Sequence, residues 1–335
     1  MKKHLLLFGL TLSLTLGLHS QTFTAVSYNC ENLFDIRHDT LKNDREFLPE
    51  SERHWTFSRY WKKVNDVGRV ILQTGGKGEE WRLPDIVGLV EVENDSVMQT
   101  LTRRSMLRGA EYRYVMTDSP DARGVDVALL YNSLTCRMLH SEGVRIPKVE
   151  GQRRTRDILY AHLAVRGDDT LHVFVVHFPS RAGGQRTTES YRLLAADILA
   201  SRIDSIQHSH SAQGNSSPAH ILVMGDFNDY SHNRSITRLL STGLSEPSAS
   251  AVGLYHPAKV VGTYRFQQQW ESLDHIFVSS GIAAKQCYIY DDEWLLDVSN
   301  AGDHRPRRTY LGNFYQGGVS DHLPLVLRFE IVNKR

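Results

Sequence analysis

The stretch ILVMGDFND at residues 221–229 is the most informative segment of this 335-residue chain. Its apolar run ends at Met224, and Asp226 and Asn228 follow where a strand meets a loop. The segment SDHLP at residues 320–324 has the same form, with a carboxylate beside a second polar group next to the last apolar run. Such strand ends are expected where a divalent metal and a water are held over a phosphate. The two segments together predict metal-dependent hydrolysis of a phosphoester.

Further polar side chains stand at the ends of other predicted strands. Asp274 interrupts an apolar run, and a buried carboxylate needs a partner. Glu93 shares a face with Glu91 if that strand continues, or it belongs to the start of the helix near Ser96, where a carboxylate favours the helix dipole. The regular recurrence of such groups predicts that they meet at one rim of the fold. The groups are Asn29, Glu31, Glu91, Glu93, His177, Asp226, Asn228, Asp274, Asp321 and His322.

The alternation of apolar and polar residues predicts strands and helices along the whole chain. The segments 112–117 and 125–131, and likewise 158–165 and 171–177, have hairpin spacing, so the sheets are expected to be mixed. A Ser/Gly/Asn/His stretch over residues 207–218 predicts a surface loop. The predicted strands are Phe23–Asn29, Ile86–Val92, Tyr112–Thr117, Val125–Tyr131, Ile158–Val165, Leu171–His177, Ile221–Met224, Ser272–Val278 and Leu325–Val332, and the predicted helices are Phe57–Gln73, Ser96–Leu107 and Thr187–Gln207.

The N-terminus has the features of a secretory signal. Two lysines precede an apolar run over residues 5–18 that is too short to span a bilayer comfortably, and Ser20 follows it as a cleavage position. A buried first helix is the alternative, but the run has no polar face. We therefore predict a signal peptide over residues 1–20, a single domain over residues 21–335, and a secreted or periplasmic protein without stable membrane association.

Charge and cysteine content narrow the classes of partner. Removing residues 1–20 takes out two lysines and no acidic residue, so the net charge changes from +1 to −1. Any attraction for phosphates therefore has to be local. The three cysteines, Cys30, Cys136 and Cys287, cannot all pair and lack the spacing of metal ligands, so we expect them to be small buried residues. Nothing in the composition indicates a protein partner, and we expect a monomer.

Six segments in a fixed order resemble the endonuclease/exonuclease/phosphatase superfamily, which includes deoxyribonucleases, abasic-site endonucleases, sphingomyelinases and inositol-polyphosphate 5-phosphatases. The neighbouring sequence is similar to a secreted bacterial branch of that superfamily. The resemblance implies an α/β fold of four layers, in which two mixed β-sheets pack face to face with helices on the outside and an active site at one end. The six segments are SYN at 27–29, DIVGLVE at 85–91, VHF at 176–178, GDFN at 225–228, LDHIF at 273–277 and SDHLP at 320–324.

The resemblance also implies a metal site. Glu91 is the expected principal ligand of Mg²⁺, or of Mn²⁺, with Asn29 and Asp321 beside the metal. Mg²⁺ prefers few carboxylates together with waters and a phosphate oxygen, which fits this sparse set. Many relatives have glutamine where this chain has Val90, and this difference leaves the choice between Glu91 and Glu93 open.

The catalytic groups implied by the resemblance lie on the same strand ends. Asp226 is expected to orient or deprotonate the attacking water, and Asn228 to donate to the phosphate. His322, oriented by Asp274, is expected to contact the scissile phosphate. His177 is expected to donate a proton to the leaving oxygen.

Arginines supply the sequence signal for the substrate. Arg153, Arg154 and Arg156 form a compact run, and Arg181 follows His177 by four residues. Such groups can follow a nucleic-acid backbone, although a solvated basic surface is equally compatible with any one of them. We predict a phosphodiesterase acting on DNA or RNA. The alternatives are a phosphatase or a sphingomyelin-type phospholipid phosphodiesterase and, in a different class, a noncatalytic binding protein that retains the fold.

Overall fold

The computed structural model describes residues 22–76, 78–151, 153–166, 169–248, 260–298 and 304–332, and the predicted signal peptide lies outside them. The helices are α1 (Phe57–Gln73), α2 (Asp95–Arg103), α3 (Gln185–Ala212) and α4 (Arg234–Leu240). The strands are β1 (Thr22–Leu33), β2 (Ile86–Val92), β3 (Tyr112–Met116), β4 (Asp126–Asn132), β5 (Cys136–Val144), β6 (Ile158–Val165), β7 (Thr170–His177), β8 (Ile221–Asp226), β9 (Tyr264–Phe266), β10 (Gln269–Glu271), β11 (Asp274–Val278), β12 (Ile282–Ile289), β13 (Leu296–Val298), β14 (His304–Pro306), β15 (Tyr310–Leu311), β16 (Phe314–Tyr315) and β17 (Leu325–Ile331).

Two mixed β-sheets form the centre of the fold. The larger sheet has six strands in the order β12-β17-β1-β2-β4-β3, and the smaller has five in the order β11-β8-β7-β6-β5. β1 pairs with β2, and β7 with β8, in parallel, whereas the other neighbours are antiparallel. The expected hairpins β3–β4 and β6–β7 are both present. The prediction of mixed sheets is therefore confirmed.

The two sheets share one apolar core. Val26 and Leu89 of the larger sheet and Val173 of the smaller sheet are fully buried in it. Gly88 in β2 marks a close approach between the sheets, because a Cβ atom at this position would lie only 3.0 Å from Cε of Met224 in β8. A larger residue at position 88 would therefore force the two sheets or the Met224 side chain to shift.

The helices cover the outer faces of the two sheets. In α1, Val64, Val67 and Ile71 recur at helical spacing and are buried with the larger sheet. On the other side, Leu199 of α3 packs in a second apolar cluster with Phe174 of β7. The order helix, sheet, sheet, helix confirms the predicted α/β sandwich.

Several elements differ from the sequence prediction. β5, β12 and α4 were not predicted; β5 is an edge strand with few buried residues, so it lacks the regular apolar alternation on which strand prediction depends. The loop predicted over residues 207–218 is wrong in part, because α3 continues to Ala212. Gln207 donates from Nε2 to the carbonyl oxygen of Thr242 at 3.1 Å, a tertiary contact that supports these last turns without an apolar stripe.

The helix predicted over residues 96–107 is shorter in the structure. Asn94 caps α2 by accepting the N–H of Val97 at 3.0 Å, and a separate 3-10 turn follows the helix at Met106–Gly109. Cys30, Cys136 and Cys287 are all buried, as expected, and none of them forms a disulfide. Within the described ranges, no helix has both the length and the apolar character needed to cross a membrane.

Candidate active site

The polar residues at the predicted strand ends meet in one cavity at an end of the two sheets. The cavity has a volume of about 830 Å³, and its walls include the ends of β1, β2, β7 and β8 and the segment before β17. The structure therefore shows that these residues lie together, whereas the catalytic role of each residue stays a prediction. The predicted residues that line the cavity are Asn29, Glu31, Glu91, His177, Arg181, Asp226, Asn228, Asp321 and His322.

Irregular backbone at the ends of β1 and β2 turns carboxylates into this cavity. The parallel pairing of the two strands loses its register between Asn29 and Leu33. Glu31 (φ 48°), Asn32 (φ 59°) and Glu91 (φ 62°) all have left-handed backbone, which is uncommon for residues other than glycine. Oε2 of Glu91 accepts the N–H of Asn32 at 3.0 Å and so connects the two irregular strand ends. Such local strain is concentrated at functional sites.

The structure separates the two glutamates between which the sequence left the choice open. Glu93 follows the end of β2, lies outside the cavity lining, and accepts the N–H of Asp35 at 2.7 Å. Burial raises the pKa of Glu93 to about 8. α2 begins at Asp95 behind its cap Asn94, so Glu93 is not part of the first helical turn either. Glu91 is therefore the glutamate that is placed for a metal.

Oxygen donors suitable for a hard cation face the cavity. Glu91 and Asp321 retain 12% and 20% side-chain exposure, and each lies beside an arginine. Oε1 of Glu91 is 3.6 Å from Nη2 of Arg123, and Oδ2 of Asp321 accepts from Arg308 at 2.5 Å. Two partly accessible carboxylates that leave room for water fit the preference of Mg²⁺. Glu91 and Asp321 are therefore the residues that would hold the metal.

Asn29 has a different environment from the two carboxylates. Its Oδ1 accepts the N–H of Glu31 at 2.9 Å, and its Nδ2 donates to Oδ2 of Asp226 at 3.1 Å. Both ends of the amide are thus engaged, and Asn29 links β1 to β8. Glu31 supplies a further carboxylate here, and burial together with the nearby charge of Asp321 raises its pKa to about 7.

A second cluster combines Asp226, Asp274 and His322, which offer ligand atoms within 4.8 Å of one another. Hydrogen bonds already occupy much of it, because Oδ2 of Asp274 lies 2.7 Å from Nδ1 of His322 and accepts from the hydroxyl of Thr263 at 2.5 Å. Burial lowers the pKa of His322, but the carboxylates of Asp274 and Asp226 raise it more, to about 10. Because Nδ1 of His322 and Oδ2 of Asp274 are engaged with each other, we interpret this cluster as a proton-holding group rather than the metal centre.

Asp226 lies at the centre of the site. It is buried at the end of β8, directly opposite Asp274 in β11. Its Oδ2 is 3.8 Å from Nε2 of His177 and 4.0 Å from Nε2 of His322. Burial and the neighbouring carboxylate of Asp274 raise the pKa of Asp226 to about 7. A carboxylate with this pKa is suited to accept a proton near neutral pH.

The two histidines have opposite charge states. Burial and then the guanidinium groups of Arg156 and Arg123 hold the pKa of His177 well below its usual range, so its ring is neutral near pH 7. A neutral imidazole donates a hydrogen bond but has no additional proton to give. The charge states therefore favour His322 over His177 as the group that carries a transferable proton. The sequence instead predicts that His177 donates the proton to the leaving oxygen.

The loop after Asp226 is held by several hydrogen bonds. Asn228 has left-handed backbone (φ 51°), and its N–H donates to Oδ1 of Asp226 at 2.9 Å. Its Nδ2 donates to the carbonyl oxygen of Phe178 at 3.0 Å. Nε of Arg181 donates to the carbonyl oxygen of Asn228 at 2.7 Å, and its guanidinium lies 3.8 Å from the ring centre of Tyr230. Asn228 and Arg181 thus both lie at the cavity in fixed positions.

The arginine run of residues 153–156 is divided between two environments, so Arg156 does not contribute to a surface for the substrate, while contact of Arg153 and Arg154 with the substrate stays a prediction. Arg156 is buried, lies 3.2 Å from Asp121 and donates to the carbonyl oxygen of Phe178 at 2.8 Å. Because Phe178 directly follows His177, this hydrogen bond supports the wall behind His177, and the charge of Arg156 is paired with the carboxylate of Asp121. Arg153 and Arg154 are exposed and do not line the cavity. The spacing in sequence did not show that these side chains lie in different environments.

Several cavity residues had no assigned part in the sequence prediction. Arg123 and Arg308 approach the two proposed metal ligands, and the ring of Tyr264 lies 4.8 Å from that of His322. Lys63 is buried and donates from Nζ to the carbonyl oxygen of Glu31. Arg308 could have been found from the run that it forms with Arg305 and Arg307, whereas a single tyrosine or helical lysine carries no signature.

Residues 24–331 match the model of the Endonuclease/Exonuclease/phosphatase family. The chain belongs to this family. Members of the family are metal-dependent hydrolases of phosphoester bonds, and the protein is an enzyme of that class. No curated protein matches the chain.

Solved structures share the fold over almost the whole chain. A family protein from Bacteroides thetaiotaomicron is 15% identical with a TM-score of 0.59, and the alignment covers 94% of this chain and 99% of that one. The mannosyl-6-phosphatase of the same organism is 16% identical with a TM-score of 0.58, covering 92% and 99%. A humanized TDP2 from D. rerio is 16% identical with a TM-score of 0.57, covering 92% and 99%. At this identity the similarity shows the fold alone.

Proposed function

We propose that the protein is a Mg²⁺-dependent phosphodiesterase that hydrolyses DNA or RNA. The observation that carries this proposal is the position of Asp226, whose Oδ2 lies 3.8 Å from Nε2 of His177 and 4.0 Å from Nε2 of His322. A carboxylate that can accept a proton therefore stands beside one neutral and one protonated ring. Pairs of titratable groups whose environments push their pKa values apart are the usual basis of acid and base catalysis.

In this proposal, each group acts on a different part of the reacting phosphate. Asp226 takes the proton of the attacking water as the water oxygen bonds to phosphorus and the bond from phosphorus to the leaving oxygen breaks. The imidazolium of His322 stabilises the negative charge on the phosphate oxygens and gives its proton to the leaving oxygen. Asp274 keeps the ring of His322 oriented and protonated. Neutral His177 donates a hydrogen bond from Nε2. Glu91 and Asp321 would hold Mg²⁺, which when bound would supply Lewis-acid polarisation of a phosphate oxygen.

Cationic and aromatic groups around the cavity support a nucleic-acid substrate. Arg123, Arg181 and Arg308 line it together with Tyr230 and Tyr264. Guanidinium groups suit the phosphates that continue on both sides of a scissile bond, and aromatic rings can stack on bases. A D. rerio TDP2 structure of the same fold is complexed with a single-strand DNA product. These observations favour a polynucleotide over a small monoester, although the mannosyl-6-phosphatase has the same fold.

A phospholipid phosphodiesterase is the second candidate, and one surface feature favours it. The β15–β16 hairpin exposes Phe314 (78%) and Leu311 (49%), which face each other across the two strands. Tyr310 and Gly312 of the same hairpin line the cavity. An apolar tip beside an active site is the kind of feature that contacts a lipid surface. Activity on sphingomyelin vesicles that is lost in Phe314→Ser would support this candidate.

We further propose that the protein is secreted or periplasmic. The support is the sequence of residues 1–20, which has two lysines, an apolar run and a small residue after it. Mass spectrometry of the N-terminus of the mature protein, recovered from medium or periplasm, tests this proposal. A chain found with its first twenty residues intact in the cytoplasm would contradict it.

The function is tested by a substrate panel in the presence of Mg²⁺. The panel contains duplex DNA, single-stranded DNA, RNA, sphingomyelin, inositol phosphates and bis(p-nitrophenyl) phosphate. We expect cleavage of at least one polynucleotide, and cleavage should stop in Asp226→Asn. Turnover of lipid or monoester alone would reject the nuclease assignment, and a protein inactive on every compound would favour a noncatalytic binding protein.

A further inference from the structure

A buried polar assembly lies behind the catalytic loop, outside the cavity and on the α3 side of β8 and β11. It consists of Glu246, His275 and Asp229 in one line, with Arg192 of α3 and Ser235 of α4 at its end. None of these five side chains lines the cavity of the proposed active site. His275, Asp229, Arg192 and Ser235 are completely buried, so their contacts are not surface accidents.

His275 connects two acceptors that are far apart in sequence. Its Nδ1 lies 2.6 Å from Oε1 of Glu246, and its Nε2 lies 2.8 Å from the carbonyl oxygen of Asp229. A carboxylate and a backbone carbonyl can only accept, so both ring nitrogens must carry a hydrogen. The ring is therefore an imidazolium paired with the Glu246 carboxylate. The carboxylate of Asp274 is a further charge near it, and Phe227 and Phe277 pack against the ring.

Asp229 is held at its main chain and at its side chain. His275 binds its carbonyl oxygen, while Oδ1 lies 2.8 Å from Nε of Arg192 and Oδ2 accepts from the hydroxyl of Ser235 at 2.6 Å. Asp229 directly follows Asn228, whose N–H binds Oδ1 of Asp226. The position of Asp229 therefore fixes the segment that carries the groups proposed to act on water and phosphate.

We propose that Glu246 and His275 are positioning residues that hold the loop of residues 226–229 in its reactive conformation. His275 also pairs directly with Gly225 in the antiparallel register of β11 and β8, so it can fix the loop from its start and from its end. The carbonyl of Asp229, pulled towards His275, keeps Asn228 in its left-handed conformation. The inference rests on the proposed function for its kinetic consequence but not for its structural one.

The test combines kinetics with hydrogen exchange on a set of variants. His275→Phe removes both donors and keeps a ring, His275→Gln restores one donor, and Glu246→Gln keeps an acceptor oxygen without charge. His172→Phe is the control, because it removes a histidine of the same sheet that is half-buried and does not line the cavity. The substrate is bis(p-nitrophenyl) phosphate with Mg²⁺, and the amides of Phe227 and Asn228 report on the loop.

If His275 positions the loop, its replacement should change kcat and KM to different extents. In His275→Phe, kcat should fall about 10- to 100-fold while KM stays within about threefold, because a misplaced group costs rate rather than binding. The fall in kcat should be smaller in His275→Gln and in Glu246→Gln than in His275→Phe, and kcat of the control should match that of the wild type. The amides of Phe227 and Asn228 should exchange faster in His275→Phe than in the control.

Contrary outcomes are equally defined. A folded His275→Phe with wild-type kcat, or with unchanged exchange at Phe227 and Asn228, would overturn the inference. If His275→Phe does not fold, Glu246→Ala decides, since Glu246 is partly exposed: an unchanged kcat and unchanged exchange would overturn the inference. If the wild type hydrolyses no phosphoester, the proposed function fails, and the exchange data alone then decide the positioning inference.

Discussion

Replacing Asp274 by asparagine is the most informative perturbation of the proposed site. The change removes the negative charge 2.7 Å from Nδ1 of His322 but keeps an oxygen in the same place. A hydrogen bond to a charged group contributes about 1.5 to 3 kcal/mol, and each 1.4 kcal/mol corresponds to a tenfold change, so kcat should fall about 10- to 100-fold. KM should change little, because Asp274 does not line the cavity.

The same variant should change the pH profile in a defined direction. In the wild type the pKa of His322 is raised to about 10, so the imidazolium persists across the neutral range and is lost only at high pH. Without the charge of Asp274 this pKa falls towards the usual value of about 6.5, and activity that needs the imidazolium should decline as the pH rises above about 7. Steady-state rates on bis(p-nitrophenyl) phosphate across the neutral range measure both effects. A folded Asp274→Asn protein with wild-type kcat and an unchanged alkaline limb would refute the reasoning. Thr263→Val is the matched control, because it removes the other donor to Oδ2 of Asp274 and leaves the charge in place.

Three further predictions concern metal, substrate and stability. A chelator should abolish activity, and Mg²⁺ or Mn²⁺ should restore it. Activity measured against metal concentration should show that Glu91→Gln weakens metal binding far more than Glu93→Gln does. The reverse ranking would move the metal ligand to Glu93. Arg123→Ala and Arg181→Ala should each reduce the slope of log affinity for DNA against log salt concentration by close to one unit. Arg153→Ala and Arg154→Ala, at exposed positions outside the cavity, should leave this slope unchanged. Binding titrations at several salt concentrations measure the slope of each variant. The ion pair of His275 and Glu246 should stabilise the fold most between about pH 4.5 and 6.5, because the raised pKa of His275 contributes stability that is lost as pH rises through it, and the lowered pKa of Glu246 contributes stability that is lost as pH falls through it. Urea unfolding of wild type and His275→Phe from below about pH 4.5 to above about pH 6.5 measures the difference, which should shrink on both sides of the range; a difference that stays constant over the whole span would contradict the prediction.

The sequence predicted those parts of the fold that depend on local pattern. Continuous or alternating apolar runs located β2, β4, β7 and β8, and the polar side chains at the ends of β2, β7 and β8 located the rim. The strand ends converge because parallel neighbours such as β1 with β2, and β7 with β8, finish at the same edge. Elements without a regular apolar period, such as β5 and the last turns of α3, were missed because tertiary contacts rather than local pattern stabilise them.

The remaining part of the site depends on three-dimensional detail that sequence spacing does not contain. Glu91 and Glu93 are two residues apart, and the irregular backbone at Glu91 decides which of them enters the cavity. Arg154 and Arg156 are equally close in sequence, yet one is exposed and the other is buried against Asp121. Charge states were also hidden, since the opposite pKa shifts of the two histidines arise from burial and from charged groups that are distant in sequence.

The central claim is that Asp226 activates water for attack on a phosphodiester in a nucleic acid. The most direct test measures cleavage of DNA and RNA by the wild type and by Asp226→Asn side by side, with Mg²⁺ and with matched circular dichroism spectra. We expect cleavage of at least one polynucleotide by the wild type and a loss of about 100-fold or more in the variant. Equal cleavage by a folded Asp226→Asn protein would contradict the account.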